Sequence, residues 1–209
     1  MKRSLQAVIQ IAFLALFILL LVNGKAQLWM GLFLLGIIAS FLSGRVYCDW
    51  ICSINTVLKG ITWIKKKLHI KSLKTPQFLT KPWVRFLALD LFVATFVFTM
   101  ATGKKLPVLP VLFAIGVILT FFFHESLWHH YLCTYGAIIH IPALKAAHYL
   151  SINSEKCNNC GACKRVCPSK AIEKNEKHHE VIKGDCLVCM DCSINCKQHA
   201  ISYNRVGGN

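Results

Sequence analysis

The sequence predicts an α-helical membrane protein with four transmembrane helices, arranged as a duplicated two-helix unit and followed by a small α+β domain. Three observations predict this class. Of the 209 residues, 55% are apolar, although the net charge is +15. Residues 1–150 carry three acidic residues against fifteen Lys and Arg. Residues 151–209 carry six acids and nine bases and have no long apolar run. We therefore predict a membrane domain over 1–150 and a small soluble domain over 151–209.

Four apolar segments, 5–22, 28–42, 83–100 and 108–123, are predicted to span the membrane. A spanning helix needs about 20 residues at a rise of 1.5 Å per residue. The second and fourth segments are shorter, so the alternative is that they are re-entrant or tilted half-spans. The first segment begins like a signal peptide, but no small-residue cleavage site follows it, which predicts a retained anchor.

The distribution of basic residues predicts the orientation of these spans. Residues 45–81 hold eight Lys and Arg, whereas the loops after the first and third spans hold only Lys25 and the pair Lys104 and Lys105. Short loops rich in Lys and Arg stay in the cytoplasm. We therefore expect a multi-pass protein of the inner (cytoplasmic) membrane with both termini in the cytoplasm.

Two short segments at the ends of the second and fourth spans repeat each other. The segment RVYCDWICSIN (45–55) aligns with LWHHYLCTYG (127–136) when Cys52 is superposed on Cys133. Tyr47 then aligns with Trp128, and Cys48 aligns with His129. We call this alignment the membrane repeat. It indicates two copies of one unit, related by a pseudo-twofold axis along the membrane normal.

An amphipathic stretch follows each of these segments. After Cys52 the apolar residues keep helical spacing opposite a basic face; they are Ile54, Val57, Leu58, Ile61 and Leu68, opposite Lys59 and Lys66. We expect a helix along the membrane surface here and a similar one over 137–150.

The two repeated segments contain a candidate metal site at the cytoplasmic edge of the membrane. Packing about a pseudo-twofold axis would bring together Cys48, Cys52, His129 and Cys133. Three thiolates and an imidazole suit a third iron–sulfur cluster, and they also suit zinc. In the alternative, the cysteines are small buried apolar residues and His129 is an interfacial aromatic ring. The repetition of the spacing favours a metal.

The C-terminal domain contains two cysteine runs, CNNCGACKRVCP (157–168) and CLVCMDCSINCK (186–197). Both follow C-x₂-C-x₂-C-x₃-C, the spacing of bacterial ferredoxins with two [4Fe–4S] clusters. They therefore predict a bacterial-type dicluster ferredoxin domain in a reducing compartment, rather than a disulfide scaffold. We call the alignment that superposes Cys157 on Cys186 the ferredoxin repeat. It predicts two βαβ-like halves, each folded around its own cluster.

The spacing also predicts which cysteines share a cluster. The first three cysteines of a run hold one cluster, and the fourth binds the other. The predicted ligand sets are Cys157, Cys160, Cys163 and Cys196 for one cluster, and Cys186, Cys189, Cys192 and Cys167 for the other. Structural zinc is the alternative occupant of four cysteines. Pro168 follows the first run, and Lys197 takes the corresponding position in the second.

With these motifs, the chain resembles the NapH-type membrane polyferredoxins, which are quinol dehydrogenase-like, and the membrane ferredoxin part of the nitrous-oxide reductase regulator. In that family each two-span unit ends in C-x₃-C-P. Here Ser53 and Thr134 stand where proline is usual, and His129 stands where cysteine is usual. The resemblance implies one-electron relay between quinol and partner redox proteins.

Two acidic residues in or near the apolar segments are candidate catalytic residues for quinol oxidation. Asp90 lies within the third span, and an intramembrane carboxylate is by default a functional candidate. It would accept a proton as quinol is oxidised; the alternative is a structural ion pair with Arg85 or Arg45. Glu125, beside His124 at the end of the fourth span, is the second candidate.

Two further patterns bear on partners and cofactors. The run Lys65, Lys66 and Lys67 lies beside an apolar helix, which favours anionic lipid headgroups or an acidic electron donor over nucleic acid. Haem is disfavoured, because His69 is the only histidine before residue 124 and no C-x-x-C-H motif occurs.

The sequence thus predicts an integral-membrane iron–sulfur electron-transfer protein. It would relay single electrons between the cytoplasmic clusters and the membrane-edge site, the quinone pool, other redox subunits or soluble electron carriers. No motif predicts catalysis by this chain alone, although it fits the electron-transfer subunit of a quinol-linked oxidoreductase. The alternatives are a metal-centre maturation or redox-sensing protein, and a membrane anchor subunit of a larger oxidoreductase.

Overall fold

A computed structural model describes residues 3–25, 27–102, 108–175 and 178–205, and most of these residues are helical. By its internal contacts the chain divides into a first unit, Met1–Cys52 with Ile138–Asn209, and a second unit, Ser53–Ala137. Lys104 and Lys105, which entered the predicted orientation, lie outside the described residues.

The first unit begins with three helices, α1 (Arg3–Val22), α2 (Leu28–Ser43) and the short α3 (Val46–Trp50). Aromatic side chains join them. Phe17 of α1 meets Trp29 of α2 edge-to-face with ring centroids 5.0 Å apart, and Phe33 of α2 meets Tyr47 of α3 at 5.4 Å. Gly44 ends α2 with φ at 71°, a left-handed conformation that glycine adopts without strain.

The second unit contains α4 (Ser53–Lys67), a 3₁₀ turn (Gln77–Thr80), α5 (Pro82–Thr102), α6 (Val108–Phe122) and a π-helical turn (Trp128–Leu132). The boundary between the units falls within α7 (Thr134–Leu144). The amphipathic helix after Cys52 is therefore present as α4, although Leu68 lies beyond its end. The predicted helix over 137–150 is wrong in its second half, because α7 ends at Leu144 and a strand begins at His148.

The remainder of the first unit contains the two cysteine runs. Its elements are β1 (His148–Ile152), α8 (Ala162–Val166), β2 (Ile172–Lys174), β3 (His179–Val181), α9 (Asp191–Ile194) and β4 (Ile201–Arg205), with a 3₁₀ turn at Lys183–Asp185. The strand–helix–strand order occurs twice, as predicted. However, β1 pairs with β4 and β2 with β3, both antiparallel, so each strand pairs with one from the other half. Strand β1 starts at His148, shortly before the predicted domain boundary.

Two helices have the length and composition needed to cross a membrane among the described residues, at Ser4–Val22 and Pro82–Thr99. Helices α2 and α6 coincide with the other two predicted spans, but they have only 16 and 15 residues. Only 11% of each of the two longer apolar segments is buried by the rest of the chain. Most of their apolar side chains are therefore not covered by the rest of the chain.

Candidate metal centres

The two cysteine runs adopt the same backbone conformation. Left-handed φ angles occur at Asn159, Gly161 and Lys170 around the first run, and at Val188, Met190 and His199 around the second. The second three positions are the equivalents of the first three in the ferredoxin repeat. Left-handed φ is costly for side chains other than glycine, so its recurrence at five non-glycine positions shows that both loops are tightly constrained.

Each predicted set of four cysteines lines one cavity. Cavity I is lined by Cys157, Cys160, Cys163 and Cys196, and cavity II by Cys167, Cys186, Cys189 and Cys192. The fourth cysteine of each run thus faces the cavity of the other run, as the spacing predicts. Cys163 and Cys192 also belong to one apolar core with Leu150, Ile172, Val181 and Ile201, so a single core contributes lining residues to both cavities.

The chemistry of these cavities fits iron–sulfur clusters. Burial raises the pKa of the Cys192 thiol to about 12 and that of Cys186 to about 11, because a buried thiolate loses its hydration. Bound iron would offset this cost, since the thiolate is the form of cysteine that ligates metals. The backbone N–H of Ala171 donates to Cys167 Sγ (3.3 Å) and that of Ala200 to Cys196 Sγ (3.4 Å). Such hydrogen bonds stabilise cluster-bound sulfur.

The segment Gly44–Trp50, which comprises the end of α2 and all of α3, packs against the loop of cavity II. Trp50 Nε1 donates to Val188 O at 3.5 Å, and a Cβ on Gly44 would lie 3.4 Å from a Val188 methyl group. Val188 is the residue between Cys186 and Cys189 that has a left-handed φ. The segment that carries Cys48 is therefore in direct contact with the loop that carries three of the cysteines lining cavity II.

A buried polar network extends this contact. Arg45, only 1% exposed, donates from Nη1 to Gly184 O (3.2 Å) and pairs with Asp185 Oδ1 (3.7 Å). The His140 ring lies 3.0 Å from the same carboxylate oxygen. Asp185 directly precedes Cys186, and the Arg45 charge favours the Cys186 thiolate. Sequence reasoning missed this network, although an acidic residue beside a ligand was a usable signal.

The two segments of the predicted membrane-edge site are locally alike. The Cys52 N–H donates to Tyr47 O (2.9 Å), and the Cys133 N–H donates to Trp128 O (2.8 Å), so the same turn recurs at equivalent positions of the membrane repeat. Both Cys48 and His129 are buried, at 5% exposure each. Cys48 and Cys52 belong to the first unit, and His129 and Cys133 to the second. The convergence of the four stays a prediction.

A glycine on the preceding helix lies against the aromatic residue of each segment. A Cβ on Gly36 would lie 2.6 Å from the Tyr47 ring, and a Cβ on Gly116 would lie 3.2 Å from the Trp128 ring. A side chain at either position would displace the ring. The two glycines lie one position out of register in the membrane repeat, so the contacts are similar but not equivalent.

Lys65 and Glu125 form a polar cluster inside the second unit. Lys65 Nζ donates to Thr120 O and Phe123 O, both at 3.1 Å, at the C-terminal end of α6. Glu125, 8% exposed, accepts a hydrogen bond from Thr62 Oγ1 at 3.1 Å. A lysine amine favourably binds the unpaired carbonyls at a helix C-terminus. The prediction that Lys65 meets lipid headgroups is therefore wrong, because its amine is buried against α6.

Asp90 lies exposed on α5. Arg45, one of the two residues considered as its partner, is buried and pairs with Asp185. The adjacent residues Leu91 and Phe92 line an apolar cavity of about 400 Å³ that is bounded by α5, α6 and the π-helical turn. Trp128 and Leu132, on either side of His129 in the π-helical turn, also line this cavity.

Comparison with known proteins places these motifs in context. A 4Fe-4S binding domain family matches residues 25–71 and 106–146, and a second 4Fe-4S binding domain family matches residues 150–173. The two segments of the first match each contain one copy of the membrane repeat. No solved structure matches the chain.

Three curated relatives have similar sequences. The putative electron transport protein YccM of Escherichia coli is 27% identical over 77% of this chain and 51% of its own length. The ferredoxin-type protein NapH of Haemophilus influenzae is 24% identical over 78% of this chain and 63% of its own length. The methylamine utilization ferredoxin-type protein MauN of Paracoccus denitrificans is 26% identical over 75% of this chain and 61% of its own length.

The chain thus spans half to two thirds of the length of these relatives. The matched families are described as 4Fe-4S binding domains, and two of these three relatives are described as ferredoxin-type proteins. The comparisons confirm that this chain contains 4Fe-4S binding domains and resembles the NapH-type polyferredoxins.

Proposed function

We propose that this chain is an integral-membrane iron–sulfur electron-transfer protein of the cytoplasmic membrane. Cavities I and II would each hold one [4Fe–4S] cluster through their four cysteines, and each cluster would supply a one-electron redox couple. The observation that carries the proposal is that each predicted set of four cysteines lines a single cavity. The printed names of the relatives, which include electron transport and ferredoxin-type proteins, support the same function.

We infer that electrons pass between cavity II and a third metal site at the membrane edge. Cys48, Cys52, His129 and Cys133 would hold that metal, either iron–sulfur or zinc. Only an iron–sulfur centre would extend the relay, because zinc has no redox couple in proteins. The contact of the Gly44–Trp50 segment with the cavity II loop supports cavity II as the cluster site nearest to the membrane-edge site.

We further propose that quinone occupies the apolar cavity bounded by α5, α6 and the π-helical turn. An apolar cavity of a few hundred Å³ with a few polar groups suits a small ligand, and Thr95 and Thr134 supply hydroxyl groups here. Trp128 and Leu132 flank His129, so quinone in this cavity would lie near the membrane-edge site. Asp90 and Glu125 are the candidate proton acceptors.

The four apolar helices would all cross the membrane, with both termini in the cytoplasm. The exposed apolar surface of α1 and α5 supports this arrangement. Helices α2 and α6 would span the bilayer only with flanking residues or local thinning. A cysteine-labelling experiment on intact cells, with single cysteines placed near residues 25 and 74, tests the orientation. Label from outside should reach residue 25 alone.

Redox titration of the anaerobically purified chain, followed by electron paramagnetic resonance, tests the proposed function. We expect about eight iron atoms from cavities I and II, with a third signal that changes in His129→Cys if the membrane-edge site holds a cluster. Two signals with bound zinc or copper would instead favour a maturation or sensing protein. Quinol should reduce the clusters, and Asp90→Asn should slow this reduction. An iron-free, fully folded protein would contradict the proposal.

A further inference from the structure

Cavity I opens to solvent at one of its ligands, in contrast to cavity II. Of the eleven cysteines, all of which the structure describes, only Cys160 is exposed. Its counterpart in the ferredoxin repeat is Cys189, which is 8% exposed and lies in cavity II. A redox partner that approaches through solvent therefore reaches the ligands of cavity I first.

Four exposed cations flank the ligands of cavity I. We call Lys156, Lys164, Arg165 and Lys197 the basic collar. Each lies one or two positions along the sequence from a cysteine of cavity I, and all four are exposed. Arg165 Nη1 donates to Cys160 O at 3.3 Å, which holds one guanidinium on the exposed loop. Burial lowers the pKa of His179, which lines cavity I, and the charge of Lys164 lowers it further.

The collar is specific to cavity I. In the ferredoxin repeat, the positions of Lys156, Lys164, Arg165 and Lys197 correspond to Asp185, Ser193, Ile194 and Pro168 around cavity II. None of these four carries a positive charge, and Asp185 is negative and buried against Arg45. Two loops with the same backbone thus differ in charge at every one of these positions.

We propose that the basic collar is the docking surface for an acidic, soluble one-electron carrier protein. This inference rests on the proposed function, because a carrier has reason to dock here only if cavity I holds a redox centre. Docking would place the carrier's redox centre against the loop of Cys160. One electron would then pass between them, so that the carrier is oxidised as the chain is reduced, or the reverse. Opposite charges on the two surfaces raise the association rate and fix the orientation.

Anionic lipid is the alternative partner for such cations, but the collar surrounds an exposed cluster ligand. A lipid headgroup there would separate the redox centre from any carrier. Lipid-binding surfaces also combine cations with an apolar face that enters the bilayer, whereas the residues next to the collar cations in α8 are Cys163 and Val166, which point to the cavity or are partly covered. The observations therefore favour a protein.

The test is equilibrium binding of an acidic flavodoxin to the full chain in phosphatidylcholine nanodiscs, measured at low and high salt. Two collar variants, Lys164→Glu with Arg165→Glu and Lys156→Glu with Lys197→Glu, are compared with the control Lys71→Glu with Lys145→Glu. Both control residues are exposed, and all three pairs change the net charge equally. A basic cytochrome c is the control carrier.

We expect flavodoxin to bind at low salt and to dissociate as salt screens the charges. Each collar variant should weaken binding or slow association by roughly tenfold, whereas the control pair should bind like the parent and cytochrome c should not bind. Equal weakening in the collar and control variants would overturn the inference, as would binding that salt leaves unchanged.

Two outcomes separate this inference from the proposed function. If iron content and the paramagnetic signals are intact but flavodoxin does not bind, the collar inference fails and the proposed function stands. If the chain holds no iron, the proposed function fails. Nanodiscs with one third phosphatidylglycerol test the lipid alternative. Loss of flavodoxin binding to the parent chain in these discs would show that an acidic carrier cannot dock beside anionic lipid and would overturn the inference.

Discussion

Cavities I and II have the same backbone and the same four-cysteine lining, but their surroundings differ. Cavity I has an exposed cysteine, Cys160, and a buried histidine, His179, in its wall. In cavity II the equivalent of Cys160 is the buried Cys189, and the equivalent of His179 is Leu150. The duplication preserved the ligand geometry, because the spacing and the left-handed residues determine it. The residues between the ligands were free to diverge and gave the two cavities different environments.

The largest expected effect separates the matched ligands Cys160 and Cys189. In Cys189→Ser we expect the cluster of cavity II to be lost, with about four iron atoms fewer per chain, because water cannot readily replace a buried ligand. Cys160→Ser should retain more of its iron, since the exposed position admits serine or water as a ligand. Iron analysis and paramagnetic resonance measure both. Equal iron loss in the two variants would contradict the difference in exposure.

The next effect compares Arg45, which pairs with Asp185 beside cavity II, with Arg165, which contacts the loop of cavity I. Arg45→Met removes a cationic partner from the buried Asp185 carboxylate, which should lower the free energy of unfolding by about 2 kcal/mol. The variant should also lower the reduction potential of the cluster in cavity II, since the positive charge of Arg45 would stabilise the reduced cluster. Thermal unfolding and redox titration measure these changes. Arg165→Met, at exposed cavity I, is the matched control and should leave the Tm nearly unchanged.

A smaller effect is expected where His140 packs on the loop of cavity II. A Cβ on Gly184 would lie 2.5 Å from the His140 ring, so Gly184→Ala should displace this partly exposed ring and lower stability by about 1 kcal/mol. Adding His140→Ala should recover part of the loss in a double-mutant cycle. The equivalent position at cavity I is the exposed Glu155, where Glu155→Ala should have little effect. Additive losses in the double variant would exclude the clash.

The smallest effect is a pH dependence confined to cavity I. Burial lowers the pKa of His179 below 6.5, and the charges of Lys164 and Lys174 add to this shift. The neutral ring therefore stabilises the fold above about pH 6.5, and this contribution is lost as the pH falls towards the lowered folded pKa. His179→Leu gives cavity I the residue type that lines cavity II and should flatten the decrease in Tm between pH 7 and 5. A parallel decrease in both proteins would assign it to other groups.

Local sequence patterns were sufficient for the helices and for the grouping of the cysteines. All four predicted spans coincide with helices to within a few residues, because an apolar run in a chain of this composition has one regular structure available. The two groups of four cysteines followed from the bacterial ferredoxin spacing, in which the first three cysteines of a run face one site and the fourth faces the other. Strand pairing did not follow, because antiparallel exchange between the halves depends on contacts that local periodicity does not encode.

The sequence by itself determined the candidate ligands, their loops, the membrane repeat and the ferredoxin repeat, because each of these depends on the spacing of residue types along the chain. Only the tertiary structure decided how the equivalent loops are covered. Arg45 pairs with Asp185, which lies far from it in the sequence. Lys65, the first residue of the basic run 65–67, donates hydrogen bonds to carbonyl groups at the end of α6. In each case a long charged side chain is stabilised where polar groups are buried. Such a partner can lie anywhere along the chain, so burial and pairing have to be read from the folded molecule.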